Sequence, residues 1–273
     1  MLADMLIDTH CHLDASEFDA DRCDVIADAA ARGVRAIVIP AIARFNFDTV
    51  RDLAHRCEGG AYALGIHPIF VRHAQEDDLD VLRDAIVAAL PDPRFVAIGE
   101  IGLDFFIPEI SQGVERDKQE RFYVAQLKLA AEFDLPVLLH VRRSQDILLK
   151  YLRRIPVRGG IGHAFNGSAQ QARAFIDLGF ALGVGGAMTW TRALNIRRLC
   201  TEFDLGHYVL ETDAPDIPPA WLPDDDRRNT PGQVHGVAQA FAQLRGIPVD
   251  DVIKVTGANA LRVLPKLAGI KLS

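Results

Sequence analysis

The sequence predicts an α/β protein of the (β/α)8 TIM-barrel class. Three observations carry that prediction. Eight short apolar runs alternate with longer segments of helical period, which is the pattern of parallel βαβ units. The polar residues of those runs collect at their C-terminal ends, where a barrel builds its sites. The chain has 273 residues, the length of one barrel.

The eight runs are, in order, MLIDTHCH, AIVIPA, AYALGIHP, FVAIGEIGLD, PVLLHVR, GGIGHAFNG, FALGVGG and YVLETDAP. Helical patterns separate them, such as DVIADAAARG, FDTVRDLAHRC, DVLRDAIVAAL, QERFYVAQLKLAAEFD and AQQARAFIDLG. Two more, GQVHGVAQAFAQLRG and VDDVIKVTGANALRVL, follow the last strand. An open doubly wound sheet is the competing topology. It would favour a G-x-G-x-x-G loop after the first strand, and none stands there. No linker or low-complexity tract divides the chain, so residues 1–273 read as a single domain. PDIPPAWLPDDDRRNTPG forms a long loop after strand eight, over the catalytic face.

Composition narrows the function. The chain is 49% hydrophobic, enough for a large core. Its net charge of −7 argues against coating nucleic acid by bulk charge, while leaving room for a local phosphate site. The four cysteines, Cys11, Cys23, Cys57 and Cys200, form no C-x-x-C and read as reduced thiols of a cytoplasmic protein. MLADML is too short for the apolar core of a signal peptide, and no run is long enough to span a bilayer. Neither a membrane nor an obligate protein partner is expected.

The first strand raises the functional question. Asp8, His10 and His12 alternate along it, so period two turns them to one face, with Ile7, Thr9, Cys11 and Leu13 on the other. Neighbouring imidazoles about 7 Å apart along a strand can hold one cation. Of nine histidines, His10, His12, His67, His140 and His163 fall at strand ends, joined by Glu100 and Asp213. His55, His73, His207 and His235 read as surface or structural residues. Burying so many ionisable groups without cations would be costly. His10, His12 and Asp213 suit one ion, His140 and His163 a second, and Glu100 can bridge them with its two oxygens. Two such ions would activate water and clamp a phosphoryl oxygen. The donors are all nitrogen or oxygen, so zinc, manganese, nickel and magnesium all fit.

Further residues take roles from their placement. Asp213 is the candidate general base. Arg142 shares parity with His140, one pleat nearer the mouth. It is either a phosphate ligand or a surface arginine paired with an acidic residue. Glu211 and Asp8 are candidates to orient ligand imidazoles; Glu211 reads equally as a salt-bridge partner deeper in the barrel. Arg228 and Asn229 are loop residues that either reach a nucleotide phosphate or, as is commoner for a loop arginine, are simply solvated. The glycines of LGVGG either admit substrate or relieve crowding.

DTHCHLD, GIHP, GEIGLDFF, LPVLLHVRRS, GHAFNGS and ETDAPDIPPAW…RRNTP stand in the order and spacing of a known family. The chain resembles the TatD-related metal-dependent deoxyribonucleases, a branch of the amidohydrolase-like barrels, over residues 7 to about 262. GVGG and ETDAPD look most like its YjjV-type subgroup. The resemblance implies a TIM barrel with two divalent ions (magnesium, manganese or zinc) held by His10, His12, Glu100, His140, His163 and Asp213. It also implies hydrolysis of DNA phosphodiesters from a 3′ end, with His67 near the substrate phosphate. The loop after strand eight lacks the family's RGKRNEP form and keeps only RRNTP. DNA or another phosphoester is the expected substrate. The alternatives are a small-molecule ester, amide or phosphoester hydrolase and an aminoacyl-tRNA deacylase on the same barrel. Many small-molecule hydrolases of this barrel bridge their metals with a carboxylated lysine, where strand four here offers Glu100.

Overall fold

Eight parallel strands pair in chain order into one sheet, in a computed structural model that describes residues 5–270. They are β1 (Leu6–Asp8), β2 (Val34–Pro40), β3 (Gly60–Leu64), β4 (Phe95–Asp104), β5 (Val137–Arg142), β6 (Gly160–Gly162), β7 (Phe180–Val184) and β8 (Tyr208–Leu210). The sheet closes on itself without a full last ladder. The Thr9 amide donates to the Leu210 carbonyl at 3.0 Å, and Cys11 bridges Ala214 in parallel. The helices between strands are α1 (Arg22–Ala31), α2 (Phe47–Arg56), the single turn α3 (Pro68–Val71), α4 (Asp77–Ala89), α5 (Gly113–Glu132), α6 (Gln145–Leu152), α7 (Ala169–Asp177) and α8 (Leu194–Glu202). After β8 come α9 (Val234–Arg245) and α10 (Val249–Val263). The barrel class holds, and residues 1–4, the start of MLADML, lie outside the described residues.

Strand periodicity divides the apolar residues into two clusters. One lies inside the barrel and draws from every strand, including Ile7, Val38, Ala63, Ala97, Leu138, Ile161, Ala181 and Val209. Val263, Leu264, Leu267 and Ile270, on and after α10, close its floor. The other packs the outward strand residues, such as Leu6, Ile39, Tyr62 and Leu139, against the helices. This layering corrects the expected phase of the first strand. Ile7 belongs to the inner cluster, while Cys11 and Leu13 belong to the outer one. The chain bends at Thr9 once β1 has ended, which breaks the period of two before His10.

At the opposite end of the barrel from the strand C-termini, Asp92 ties β3 to the start of β4. It accepts from the Tyr62 hydroxyl and the Arg94 amide, each at 2.9 Å, and stands 2.7 Å from Nε2 of His55. The structural reading of His55 is therefore accurate. Among the described residues, no helix is long and apolar enough to cross a membrane.

Two stability predictions follow from these contacts. Leu138 is fully buried in the inner cluster, so Leu138→Ala is expected to cost about 2–5 kcal/mol, read as a lowered urea midpoint at unchanged slope. Burial pushes the Asp92 carboxyl up, but hydrogen bonds from His55, Arg94 and Tyr62 outweigh it and hold the group below its usual value. A depressed carboxylate stabilises the fold above its unfolded pKa, about 3.9, and loses that contribution as pH falls through the folded value. The stability gap between wild type and Asp92→Asn should therefore shrink on acidification below about pH 4, measured by urea titrations at a series of pH values.

Candidate metal centre

Every sequence-predicted metal ligand stands at one end of the barrel. The segments after β1 and β8 are tied together before any side chain reaches the centre. Asp8 accepts from the amides of His10 (3.2 Å) and Thr212 (2.9 Å) and from the Thr212 hydroxyl (2.6 Å). Burial pushes its carboxyl up to about 8. Asp8 thus braces two backbones and touches no ligand ring, unlike its expected role. The brace sets Asp213 beside His10, whose carbonyl accepts the Asp213 amide at 2.9 Å. Asp213 takes up a left-handed φ of 57°, an uncommon state that aspartate tolerates better than most residues.

Glu100 is 1% exposed and lies where the β4–β5 register slips between Ile98 and Ile101. Its two oxygens face different partners. Oε2 is 3.1 Å from Nε2 of His10 and 3.4 Å from Nε2 of His12. Oε1 is 3.0 Å from Nδ1 of His140 and 3.4 Å from Nε2 of His67. Asp213 completes the first side, with Oδ1 3.6 Å from His12 and 3.7 Å from His10. His163 stacks on His10 at 3.8 Å between ring centroids and reaches Oδ2 of Asp213 at 3.4 Å. The grouping therefore differs from the expected one. His140 shares its cluster with His67 and Glu100, whereas His163 shares one with His10 and Asp213.

Hydrogen bonding orients the rings. Nε2 of His140 stands 3.0 Å from Oδ2 of Asp104, while its Nδ1 stands 3.0 Å from Oε1 of Glu100 and 3.0 Å from Nε2 of His67; burial opposes the charged ring, but the two carboxylates raise its pKa. An imidazole oriented by a carboxylate is the usual surrounding of a metal ligand, and a cation at Nδ1 would meet the Glu100 charge in place of a proton. His163 has a similar setting, with Nδ1 3.0 Å from Oε1 of Glu211, although off the hydrogen-bond line. Nδ1 of His10 is also buried, with no hydrogen-bond partner among the described residues. Nε2 atoms of His10 and His12 stand 3.4 Å apart, too close for both to carry protons comfortably. The donor set fits divalent cations.

His67 behaves differently. It caps α3, and its Nδ1 accepts the Ile69 amide at 3.2 Å. Burial lowers its pKa to about 4, so the neutral ring carries its proton on Nε2. It offers the centre a hydrogen-bond donor. The carboxylates are ionised. Burial opposes the Glu100 and Asp213 anions, but the surrounding imidazoles hold Glu100 well below the usual range and Asp213 at about 2. His12 is pulled to about 9 by Glu100 and Asp213 in spite of its burial.

Above the centre opens a cavity of about 1020 Å³. His12, His67, His140, His163, Glu100 and Asp213 line its floor, and Arg142 stands at its wall. Arg228 is not among the lining residues. It makes a two-pronged pair with Asp21 at 2.8 and 2.6 Å, bonds the Glu17 carbonyl and lies over the Phe18 ring. Its guanidinium fastens the loop after β8 to the segment after β1, so its placement does not match the expected phosphate role. Asn229 is likewise spent inside the loop, donating to the carbonyls of Thr212 and Asp216. The β7 glycines relieve crowding: a Cβ on Gly183 would collide with the Glu211 carboxylate, and one on Gly185 would press its carbonyl. Asp104 is the residue that sequence reasoning missed. It sits four places after Glu100 on one strand, hence on the same face, and that parity was its signal.

Comparison with known proteins agrees with this geometry. The family model described as TatD related DNase matches residues 7–265. A protein of Escherichia coli (strain K12) named "uncharacterized metal-dependent hydrolase YjjV" is 38% identical over 247 residues, 90% of this chain and 92% of that one. Human deoxyribonuclease TATDN3 is 32% identical over 268 residues, covering 96% and 95% of the two chains. The crystal structure of YjjV superposes with a TM-score of 0.89 at 36% identity, over 97% of this chain and 99% of that one. An N-acetyl-D-glucosamine-6-phosphate deacetylase from Mycobacterium smegmatis, at 14% identity and a TM-score of 0.59, shares the fold. Sequence, barrel and histidine–carboxylate centre lead to one conclusion: the chain belongs to the TatD-related DNase family of metal-dependent hydrolases.

Proposed function

We propose that the protein hydrolyses phosphodiester bonds of DNA from a 3′ end, using two divalent ions at the barrel mouth. The observation that carries this reading is Glu100, whose two oxygens face two separate imidazole pairs. A carboxylate so placed suits a bridge between paired cations, the arrangement suited to phosphoryl transfer. The name of the human relative, a deoxyribonuclease, supports the substrate class. The cavity volume, about 1020 Å³, lies at the upper end for small-molecule sites and suits a piece of polymer better than a small ester.

The residues divide the work. His10, His12 and Asp213 would hold one ion and His140 the other, with Glu100 between them and His163 beside Asp213. Bound there, divalent ions lower the pKa of water and offset charge on a phosphoryl oxygen. Asp213, beside His10, His12 and His163, is the carboxylate placed to accept the proton of the attacking water. His67 presents Nε2–H to a phosphoryl oxygen. Asp104 and Glu211 keep His140 and His163 in register. Arg142 stands where a phosphate would enter.

The direct assay is a 5′-labelled single-stranded oligonucleotide incubated with manganese- or magnesium-loaded enzyme. A ladder shortening from the 3′ end is expected. Intact oligonucleotide beside rapid turnover of small esters or of aminoacyl-tRNA would replace the nuclease reading with one of its alternatives. Glu100→Gln keeps the shape and removes the charge, and should lower kcat by about 10²–10³-fold. Gly183→Ala should weaken metal binding about 10–100-fold by displacing Glu211 from behind His163, measured by elemental analysis against free-metal concentration.

A further inference from the structure

Arg142 and Arg143 are consecutive, and both guanidinium groups lie on one ring. Their central carbons stand 3.9 and 4.6 Å from the centroid of Phe106. Strand alternation would send neighbouring side chains to opposite sides. β5 ends at Arg142, and Arg143 takes a left-handed φ of 56°, which brings the second side chain round to the ring. Non-glycine residues adopt that backbone at a cost, and it persists where neighbours enforce it. Here the next residue, Ser144, is pinned by its hydroxyl to the Leu103 carbonyl at 2.6 Å.

Three features suit this stack to an anion. Among the described residues, Arg142 and Arg143 are the only lysines or arginines lining the cavity. Arg143 has no ion-pair partner among them, and Arg142 has only Asp104 at 3.7 Å. Phe106 remains 44% exposed, an apolar ring left at the mouth and occupied by two cations. Away from the histidine–carboxylate floor, Asp14, Glu17 and Asp216 line the same cavity. A polyanion therefore has one favourable wall.

Resting on the nuclease reading, we propose that Arg142, Arg143 and Phe106 form a second phosphate subsite, which holds the phosphate neighbouring the one at the metal centre. Phe106 serves as the surface that fixes both guanidinium planes, so their forked donors are ordered before the ligand arrives. The preferred ligand is a nucleotide unit bearing two phosphates, and the subsite distinguishes a chain from a terminal monoester.

The test is calorimetric and needs no turnover. Manganese-loaded protein is titrated with thymidine 5′-monophosphate and with thymidine 3′,5′-bisphosphate. Wild type is expected to bind the bisphosphate about tenfold or more tighter, the scale of an added charge-assisted contact. Arg143→Asn suits the left-handed backbone and removes the charge, so it should close most of that gap by weakening the bisphosphate; Arg143→Lys should restore part of it. Phe106→Leu should narrow the gap by freeing both arginines. Equal affinities in wild type, including no binding of either probe, overturn the proposal, as does a full gap in the Arg142→Ala/Arg143→Asn double variant. A protein that cuts no DNA yet shows the gap loses the nuclease reading and keeps the subsite. One that cuts DNA without the gap does the reverse.

Discussion

A single buried carboxylate, Glu100, sets the terms for the rest of the barrel mouth. An anion with 1% exposure is tolerable only if positive charge and donors surround it. His10, His12, His67 and His140 supply that surrounding, and two of them are fixed from behind: His67 by the Ile69 amide and His140 by a carboxylate. His140 is held by Asp104. The other Asp104 oxygen accepts the amides of Phe106 and Ile107, at 2.8 and 3.1 Å. The Asp104 backbone is gripped by Gln119 of α5, a buried side chain whose oxygen accepts the Asp104 amide at 2.9 Å. Rigidity thus passes from a helix outside the barrel, through β4, to a ring nitrogen at the centre. Divalent ions in place of protons would satisfy the same charge demand, which is why the set reads as a metal centre and not as a polar core.

Backbone strain follows the same geography. Among the described residues, five non-glycine residues have left-handed φ, and four of them, Arg143, Ala164, Asp213 and Ile217, line the cavity. Such conformations cost roughly 1–3 kcal/mol each and need neighbours that over-determine them. Those neighbours are present. The Ala164 amide donates to Glu211 at 2.6 Å, the Asp213 amide to His10, and the Asp213 carbonyl accepts from Asp216 at 2.8 Å. Asn229, buried in the loop after β8, holds the Ile217 carbonyl. The loop that reads as the divergent part of the chain is thus internally braced, and Arg228 nails it to Asp21.

The legible part of the site was the part governed by strand position. His10, His12, His163 and Asp213 lie just past strand ends, and Glu100 and His140 lie in the C-terminal halves of their strands; a barrel brings these together whatever the details. Period two failed wherever the backbone left the strand. The bend at Thr9 inverted the expected phase of Ile7 and Asp8, and the left-handed turn at Arg143 hid the arginine pair. Long-range pairing was also invisible. Asp21 and Arg228 are separated by 207 positions, and no local pattern links them. The division of the imidazoles between the two faces of Glu100 depends on ring rotations that spacing cannot encode. Asp104, by contrast, was within reach, since it lies on Glu100's own face of β4.

The charge layout gives the two halves of the mouth a physical connection. The chain carries a net charge of −7, so a polyanion gains little from bulk attraction and must be held locally. Asp104 is shared, 3.0 Å from His140 and 3.7 Å from Arg142. On the proposed subsite, a phosphate that engages Arg142 would compete with Oδ2 of Asp104 for that guanidinium and leave this oxygen to His140. A firmer Asp104–His140 bond would make Nδ1 a more basic donor toward the centre. The two events would then be coupled through one carboxylate oxygen, and by linkage in both directions.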